Sequence, residues 1–173
     1  VRALARMAGI TNSEDKDSQE ICFIDKEDTY LEFLKRKGYN DSEGSFIDAD
    51  GNFLGKHRGV SAYTVGQRKG LGITLGYPAF VTKIDAGNKT ISLGKNESLF
   101  SNSIKCTGNT LCKRESEVYA KIRYAAKPAK AHLTFEENDV ITAEFDEPQR
   151  AATPGQSLVF YKDDLVIGCG FIV

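Results

Sequence analysis

This sequence of 173 residues lacks a long apolar run, a closely spaced pair of cysteines and any sizeable net charge. Its apolar runs span only a few residues, which excludes a transmembrane helix because such a helix needs about 20. No secretory signal is visible at the N-terminus. The chain opens on Val1 rather than Met, so we expect a fragment of a longer protein.

Metal-binding motifs are also missing. None of the four cysteines belongs to a C-x-x-C pair, and the two histidines lie far apart in the sequence. A structural zinc site usually has paired ligands at short spacing, so the sequence predicts no metal site. Without a secretory signal, we expect reduced thiols and a cytoplasmic location.

The charges nearly cancel but are unevenly distributed. The net charge is −1, from 23 basic and 24 acidic residues. Residues 12–32 carry eight acidic and two basic side chains, whereas residues 56–69 carry four basic side chains and no acidic one. Either a solvated surface patch or a contact with nucleic acid fits this distribution.

The composition is that of a folded domain, with 40% hydrophobic and 27% charged residues. Helix-forming residues followed by glycine predict helices over 2–8 and 28–37. An Asp-Gly turn predicts a hairpin over 45–55, and residues 57–75 form a glycine-rich loop. Seven or eight short strands over 79–173 predict a closed or nearly closed barrel. The expected fold is therefore mainly β: a small mixed α/β segment over 21–76, then a β-barrel over 77–173.

Cys22 lies in a short apolar run, Ile21–Ile24, that follows a polar stretch. A free cysteine in such a place is usually a small buried hydrophobe. A nucleophilic thiol needs a lowered pKa, which the surrounding acids oppose. Any reactivity would need cations from elsewhere, or a sulfur species more acidic than a thiol.

The run from Tyr63 to Gly72 concentrates backbone donors, Arg68 and Lys69 on a glycine-rich loop. Glycines let the chain approach a phosphate closely, and the two cations neutralise it. The order of residues is not that of a P-loop. Phosphate contact and a tight structural loop are equally consistent with this pattern.

A third candidate combines the Arg123-Tyr124 pair with the Pro-Gly turn that precedes Gln156. Arginine and tyrosine suit RNA because guanidinium and aromatic faces both stack on bases. Simple alternation of core and surface side chains along a strand also explains the pair, and from these residues alone it is the preferred interpretation. In that alternation Tyr124 falls on the same side as Val118, Ala120 and Ile122.

Four segments occur in an order that closely resembles the C-terminal half of the tRNA-specific 2-thiouridylases. They are Lys16–Ile24, Gly66–Gly72, Phe145–Pro148 and Ala152–Ser157. The resemblance spans essentially the whole chain. It implies a barrel of the elongation-factor type and identifies residues 1–20 as the end of an ATP-pyrophosphatase-type domain.

The activity that this resemblance implies is 2-thiolation of the wobble uridine of tRNA. ATP, with Mg²⁺, adenylates the C2 oxygen, and a cysteine persulfide then delivers sulfur as AMP leaves. By position Cys22 is the persulfide cysteine, and a persulfide is more acidic than a thiol. A second cysteine and an aspartate of the family come from the other half, and the resemblance also implies a disulfide bond.

The resemblance further implies tRNA and a persulfide-carrying sulfur-donor protein as partners, and neither DNA nor a membrane. We expect no cofactor in this chain and no ATP turnover, since it has no S-G-G-x-D-S loop. Cys106, Cys112 and Cys169 match no catalytic motif and are expected to be structural. Two alternatives remain, a non-catalytic RNA-binding barrel and a sulfur carrier that uses Cys22 without RNA. The expected tRNA contacts are Arg68, Lys69, Arg123, Tyr124 and Gln156.

Overall fold

A computed structural model of the chain describes residues 2–11, 24, 29–39 and 41–173. The chain divides into two compact units, Val1–Asn40 and Asp41–Val173. Strands predominate, which confirms the mainly β fold class. The predicted strand at Ile21–Ile24 and Cys22 itself lie outside the described residues, apart from Ile24.

The first unit contains two short helices, α1 (Arg2–Met7) and α2 (Tyr30–Arg36). A capping box starts α2: the Thr29 backbone N–H donates to the Glu32 carboxylate at 2.7 Å, and the Glu32 N–H donates to the Thr29 hydroxyl at 3.3 Å. The Thr29 backbone N–H, and after it the Thr29 hydroxyl, donate to the Glu32 carboxylate and lower its pKa. Gly9 and Gly38 follow the two helices with φ of 69° and 85°, so both predicted helices and their glycine ends are confirmed.

The second unit opens with a four-stranded sheet in the order β2-β1-β4-β3. The pair β1/β4 is parallel, and the other two pairs are antiparallel. The predicted Asp-Gly hairpin is confirmed: Gly51 has φ of 85°, and the Asp48 carboxylate accepts from the Asp50 and Asn52 N–H groups at 2.9 and 2.8 Å. The strands are β1 (Gly44–Ile47), β2 (Phe53–His57), β3 (Phe80–Asp85) and β4 (Thr90–Gly94).

The glycine-rich loop between β2 and β3 contains one short 3-10 turn, Val60–Ala62, and is otherwise irregular, as predicted. It is ordered because its side chains complete the core of the sheet. Tyr63 packs edge-on against Phe46 and His57, with ring centroids 5.2 and 5.7 Å apart. The His57 ring is buried; its Nδ1 accepts from the Gly59 N–H, so its Nε2 carries the proton and donates to the Lys89 carbonyl at 3.1 Å.

A closed six-stranded barrel follows, in the order β10-β5-β8-β7-β6-β9, with antiparallel neighbours throughout. Its interior is filled by alternate residues of each strand, Phe160 and Ala120 among them. Closure gives every strand of the barrel a hydrogen-bonded neighbour on both sides. The strands are β5 (Phe100–Leu111), β6 (Glu117–Lys121), β7 (Ala129–Phe135), β8 (Ile141–Arg150), β9 (Ser157–Lys162) and β10 (Leu165–Ile172).

The strands β3 and β4 differ from the prediction, which placed them in the barrel segment 77–173. They belong instead to the four-stranded sheet, where Ser45–Ile47 pairs in parallel with Thr90–Ser92. Alternation identifies a strand but not its partner, and this pairing joins residues more than forty positions apart. The sheet therefore ends at Gly94 and the barrel begins at Phe100.

Candidate nucleic-acid interface

Three of the five predicted RNA contacts meet in one groove on the barrel. Arg123 and Tyr124 lie just after β6, and Gln156 lies just before β9. The groove has a volume of about 500 Å³. The eight residues that line it, all within the described part of the chain, include no acid; they are Lys121, Arg123, Tyr124, Gly155, Gln156, Ser157, Val159 and Tyr161.

Tyr124 is 98% exposed, although simple alternation would place it in the core. Val118, Ala120 and Ile122 do point inward and are buried, as predicted. The regular strand ends at Lys121, so the period of two does not extend to Tyr124. The alternation-only interpretation of Tyr124 is therefore wrong.

The charge in this groove is positive and lies beside an aromatic ring. The ammonium nitrogen of Lys121 is 5.7 Å from the centre of the Tyr124 ring, within the range of a cation–π interaction. Arg123 is exposed beside them. A groove with two cations, one exposed and one half-buried tyrosine and no acid suits RNA, which offers phosphates and bases together.

The turn that carries Gln156 is fixed by the backbone of β10. The Gly155 N–H donates to the Ile172 carbonyl, and the Ile172 N–H donates to the Gln156 carbonyl, both at 2.8 Å. The Gln156 N–H donates to the Thr153 carbonyl at 3.2 Å and closes the turn. Gly155 has φ of 84°, which explains a glycine after Pro154. The side chain of Gln156 is therefore presented from a rigid support.

Arg68 and Lys69 are exposed but do not line this groove. Arg68 lines a separate depression of about 390 Å³ with residues of the segment 71–79. Their loop is pinned to β3, because the Gly66 N–H donates to the Val81 carbonyl at 2.8 Å and the Val81 N–H donates to the Gln67 carbonyl at 2.9 Å. The loop therefore has a structural role, because its backbone is hydrogen-bonded to β3. Its contact with phosphate stays a prediction.

This loop requires glycine at position 66. Gly66 has φ of 88°, and a Cβ atom there would lie 2.9 Å from the Cβ of Ala151, which follows β8. The loop and the segment after β8 also line a second, wider cleft of about 800 Å³, to which Thr64, Val65, Thr153 and Pro154 contribute. The sequence motif around Pro154 therefore serves both the barrel turn and the approach of the glycine-rich loop.

Cys106, Cys112 and Cys169, the cysteines within the described ranges, are free thiols and form no disulfide with one another. Burial raises the pKa of Cys106 to about 11, with further contributions from Asp139 and Cys169. A thiol with that pKa stays protonated at neutral pH and is a poor nucleophile. Cys106 therefore acts as a packing residue inside the barrel, in agreement with its predicted structural role.

The described residues also bear on two other kinds of site. Among them, no helix is long and apolar enough to cross a membrane. Within the same ranges, no three His, Cys, Asp or Glu side chains cluster as metal ligands would.

Three of the groove residues were not predicted from the sequence: Lys121, Val159 and Tyr161. Lys121 and Val159 are cross-strand partners on β6 and β9, and Tyr161 is the partner of Tyr119. In a strand, Lys121 falls on the side opposite Val118, Ala120 and Ile122, but only the pairing of β6 with β9 brings Lys121 close to the other groove residues. The sequence therefore carried a signal for the face and none for the partner.

Comparison with known families places a boundary where the four-stranded sheet ends and the barrel begins. Residues 31–95 match the family model described as the tRNA methyl transferase PRC-barrel domain, and residues 96–172 match the aminomethyltransferase beta-barrel domain. The boundary at 95/96 falls between the end of β4 and the start of β5.

Three curated relatives share the name tRNA-specific 2-thiouridylase. A tRNA-specific 2-thiouridylase of Syntrophomonas wolfei is 46% identical over 177 residues, which covers 99% of this chain and 52% of the relative. Relatives of the same name from Acetivibrio thermocellus and Clostridium perfringens are 44% and 42% identical, again over 99% of this chain and 49% of the relative. The chain spans about half the length of the curated relatives it matches. It belongs to the family of the tRNA-specific 2-thiouridylases, as the resemblance of its motifs to their C-terminal half predicts.

Proposed function

We propose that this chain is the tRNA-binding and sulfur-delivering part of an enzyme that 2-thiolates the wobble uridine of tRNA. The observation that carries the proposal is the groove in which Arg123, Tyr124 and Gln156 meet, although Gln156 is far from the other two in sequence. Membership of the family supplies the class of substrate, and the groove supplies a surface with suitable charge and aromatic character.

In the proposed reaction, ATP first transfers its AMP group to the C2 oxygen of the uridine, and pyrophosphate leaves. The terminal sulfur of a persulfide on Cys22 then attacks C2, and AMP leaves as the C2–O bond breaks. A second cysteine thiolate, from the remainder of the parent protein, attacks the Cys22 sulfur. The S–S bond of the adduct breaks, sulfur stays on C2, and the two cysteines form a disulfide that a thiol reductant must reopen. A sulfur-donor protein restores the persulfide.

This proposal assigns ATP and Mg²⁺ to the remainder of the parent protein. The glycine-rich loop is the candidate phosphate contact in this sequence. Its backbone N–H groups at Gly66 and Gln67 already donate to the Val81 and Thr64 carbonyls at 2.8 and 3.0 Å. Those two donors are therefore not available to cradle a nucleotide phosphate. We propose that the isolated chain binds no ATP, and calorimetry with ATP and Mg²⁺ should give no saturable heat.

The test of the sulfur-transfer role is Cys22→Ser in the intact parent protein, with thiolated tRNA measured by its altered mobility in a mercury-containing gel. We expect no thiolation, together with a stability change of about 1 kcal/mol or less, as for an ordinary substitution. Cys112→Ser is the matched control, since Cys112 is an exposed free thiol and should leave thiolation unchanged. Normal thiolation by the Cys22→Ser variant would contradict the assignment.

A non-catalytic RNA-binding barrel is the second candidate, because the groove lies wholly on the barrel and its turn. The thiolation assay on the unmodified parent protein separates the two candidates. A parent protein that binds tRNA but never thiolates it supports the second candidate. Salt-dependent RNA binding by this chain would in turn exclude a sulfur carrier that works without RNA.

A further inference from the structure

The floor of the groove consists of outward-facing side chains of two paired strands. In the register of β6 and β9, Tyr119 faces Tyr161 and Lys121 faces Val159. The intervening residues of both strands are buried in the barrel, Ala120 and Phe160 among them. Because successive side chains of a strand alternate between faces, Lys121 and Tyr161 must project outward into the groove.

Each lining group matches one part of a nucleotide. Tyr161 and Tyr124 offer aromatic rings, which stack on any nucleobase. Lys121 and Arg123 offer cations for a phosphate. Gln156 contributes an amide that both donates and accepts, as the edge of a base requires. The volume of about 500 Å³ lies within the usual range of a site for a small organic ligand.

We propose that this groove is a binding site for one unpaired nucleotide of RNA, with its base against Tyr161 and Tyr124 and its phosphate at Lys121 and Arg123. This inference rests on the proposed function and specifies which form of RNA the barrel binds. A base inside a duplex has both faces covered by its neighbours, so Tyr161 reaches only a base that has left the stack. The ligand class is therefore single-stranded or looped RNA.

The loop after β6 has a second groove, and its charges differ. Lys127 and Lys130 line it together with Asp146 and Glu147. These two carboxylates disfavour a phosphate there, since like charges repel. The acid-free groove is thus the better path for the RNA backbone, and Lys127 provides a matched control for Lys121.

The experiment uses the 173-residue chain and a short single-stranded oligoribonucleotide that contains 2-aminopurine, whose fluorescence is quenched by stacking. A blunt duplex of the same sequence is the second probe. We expect the single strand to bind with quenching and the duplex to bind at least about ten-fold more weakly. Tyr161→Leu, which keeps an apolar side chain but removes the ring, should weaken binding roughly ten-fold with the salt slope unchanged. Lys121→Ala should reduce that slope by about 0.7.

Two variants control for position and charge. Tyr119→Leu changes an equally outward tyrosine that lies outside the groove lining, and Lys127→Ala changes a cation of the second groove. Both should bind as the unmodified chain does. Tyr161→Phe keeps the ring and should retain binding and quenching, and melting curves must show that each variant is folded.

The outcomes separate this inference from the proposed function. If the unmodified chain binds neither probe nor tRNA, the proposed RNA-binding surface itself is refuted. If it binds RNA but Tyr161→Leu matches Tyr119→Leu, the nucleotide site alone is refuted. Equal affinity for duplex and single strand also refutes it. Should Tyr161→Leu fail to fold, quenching by the unmodified chain and the slope of Lys121→Ala decide the question.

Discussion

Replacing Tyr124 by alanine should separate RNA affinity from protein stability. Its side chain is 98% exposed, so truncation removes almost no buried surface and should change the free energy of unfolding by less than about 0.5 kcal/mol. If the ring stacks on a base, its loss should cost about 1–3 kcal/mol of binding free energy, or roughly 5- to 150-fold in Kd. The slope of log Kd against log salt should stay the same, since a neutral ring releases few counterions.

Tyr63→Ala is the matched contrast. Tyr63 is only 8% exposed and packs against Phe46 and His57 in the core of the sheet. By analogy with other large aromatic residues, its truncation should cost about 3–5 kcal/mol of stability. For a chain of this size that is roughly a 6–20 °C fall in Tm.

The measurements are tRNA binding by filter retention across a salt series and thermal unfolding followed by circular dichroism. We expect Tyr124→Ala to have a normal Tm and weak tRNA binding, and Tyr63→Ala to have a low Tm. A Tyr124→Ala protein that melts early would mean that the ring packs against the fold. One that melts normally and binds tRNA with unchanged affinity would refute the stacking role.

Three further predictions concern the loop and the barrel. Changing both Arg68 and Lys69 to glutamine should shrink the salt slope of tRNA binding by about 0.7–0.9 for each phosphate that the loop no longer neutralises, and an unchanged slope would assign the loop a purely structural role. Gly66→Ala should destabilise the chain by about 1–2 kcal/mol from its positive φ alone. It should destabilise the chain more than Gly72→Ala does, because a Cβ atom at 66 would meet Ala151 whereas one at 72 has nothing within 4 Å. Equal denaturation midpoints for the two variants would contradict this expectation. The pKa of Glu136 is lowered by hydrogen bonds from Thr142 and then from Lys105. The carboxylate therefore stabilises the folded chain at any pH above its unfolded pKa, and this stabilisation is lost as the pH falls through the folded pKa, which lies below 4.5. The Tm of Glu136→Gln should therefore lie below that of the unmodified chain at pH 7, and the gap should close in acid; a gap independent of pH would show that the carboxylate charge is not involved.

Local sequence signals predicted the local structure well. Glycines at 9 and 38 marked the helix ends because only glycine adopts a positive φ there at little cost. The Asp50-Gly51 turn marked the hairpin between β1 and β2 for the same reason. The alternation of Val118, Ala120 and Ile122 identified the core face of the barrel. In each case the residue and its consequence lie within a few positions of each other.

Structural features that depend on residues far apart in the sequence could not be predicted from local patterns. The sequence analysis placed β3 and β4 in the barrel, but the parallel pairing of β1 with β4 places them in the four-stranded sheet. The groove depends on a similar non-local event, since Lys121 meets Val159 only in the register of β6 with β9. Of the predicted contacts, the structure brings Arg123, Tyr124 and Gln156 together in one groove, which neither Arg68 nor Lys69 lines. The role of Cys22 lies outside the described residues and stays a prediction.

The different roles that we propose for the two surfaces follow from how each is supported. Gln156 is presented by a turn whose backbone is hydrogen-bonded to β10 on both sides, and Tyr161 lies on a strand of a closed barrel. Such a support fixes side chains at defined distances, which suits contacts to a base whose shape must be matched. Arg68 and Lys69 instead extend into solvent from a loop held at Gly66 and Gln67. Long cationic side chains on an exposed loop suit phosphates, whose attraction is not strongly directional. Mutation of Gln156 should therefore change which RNA is bound, whereas mutations in the loop should weaken binding to all RNA alike.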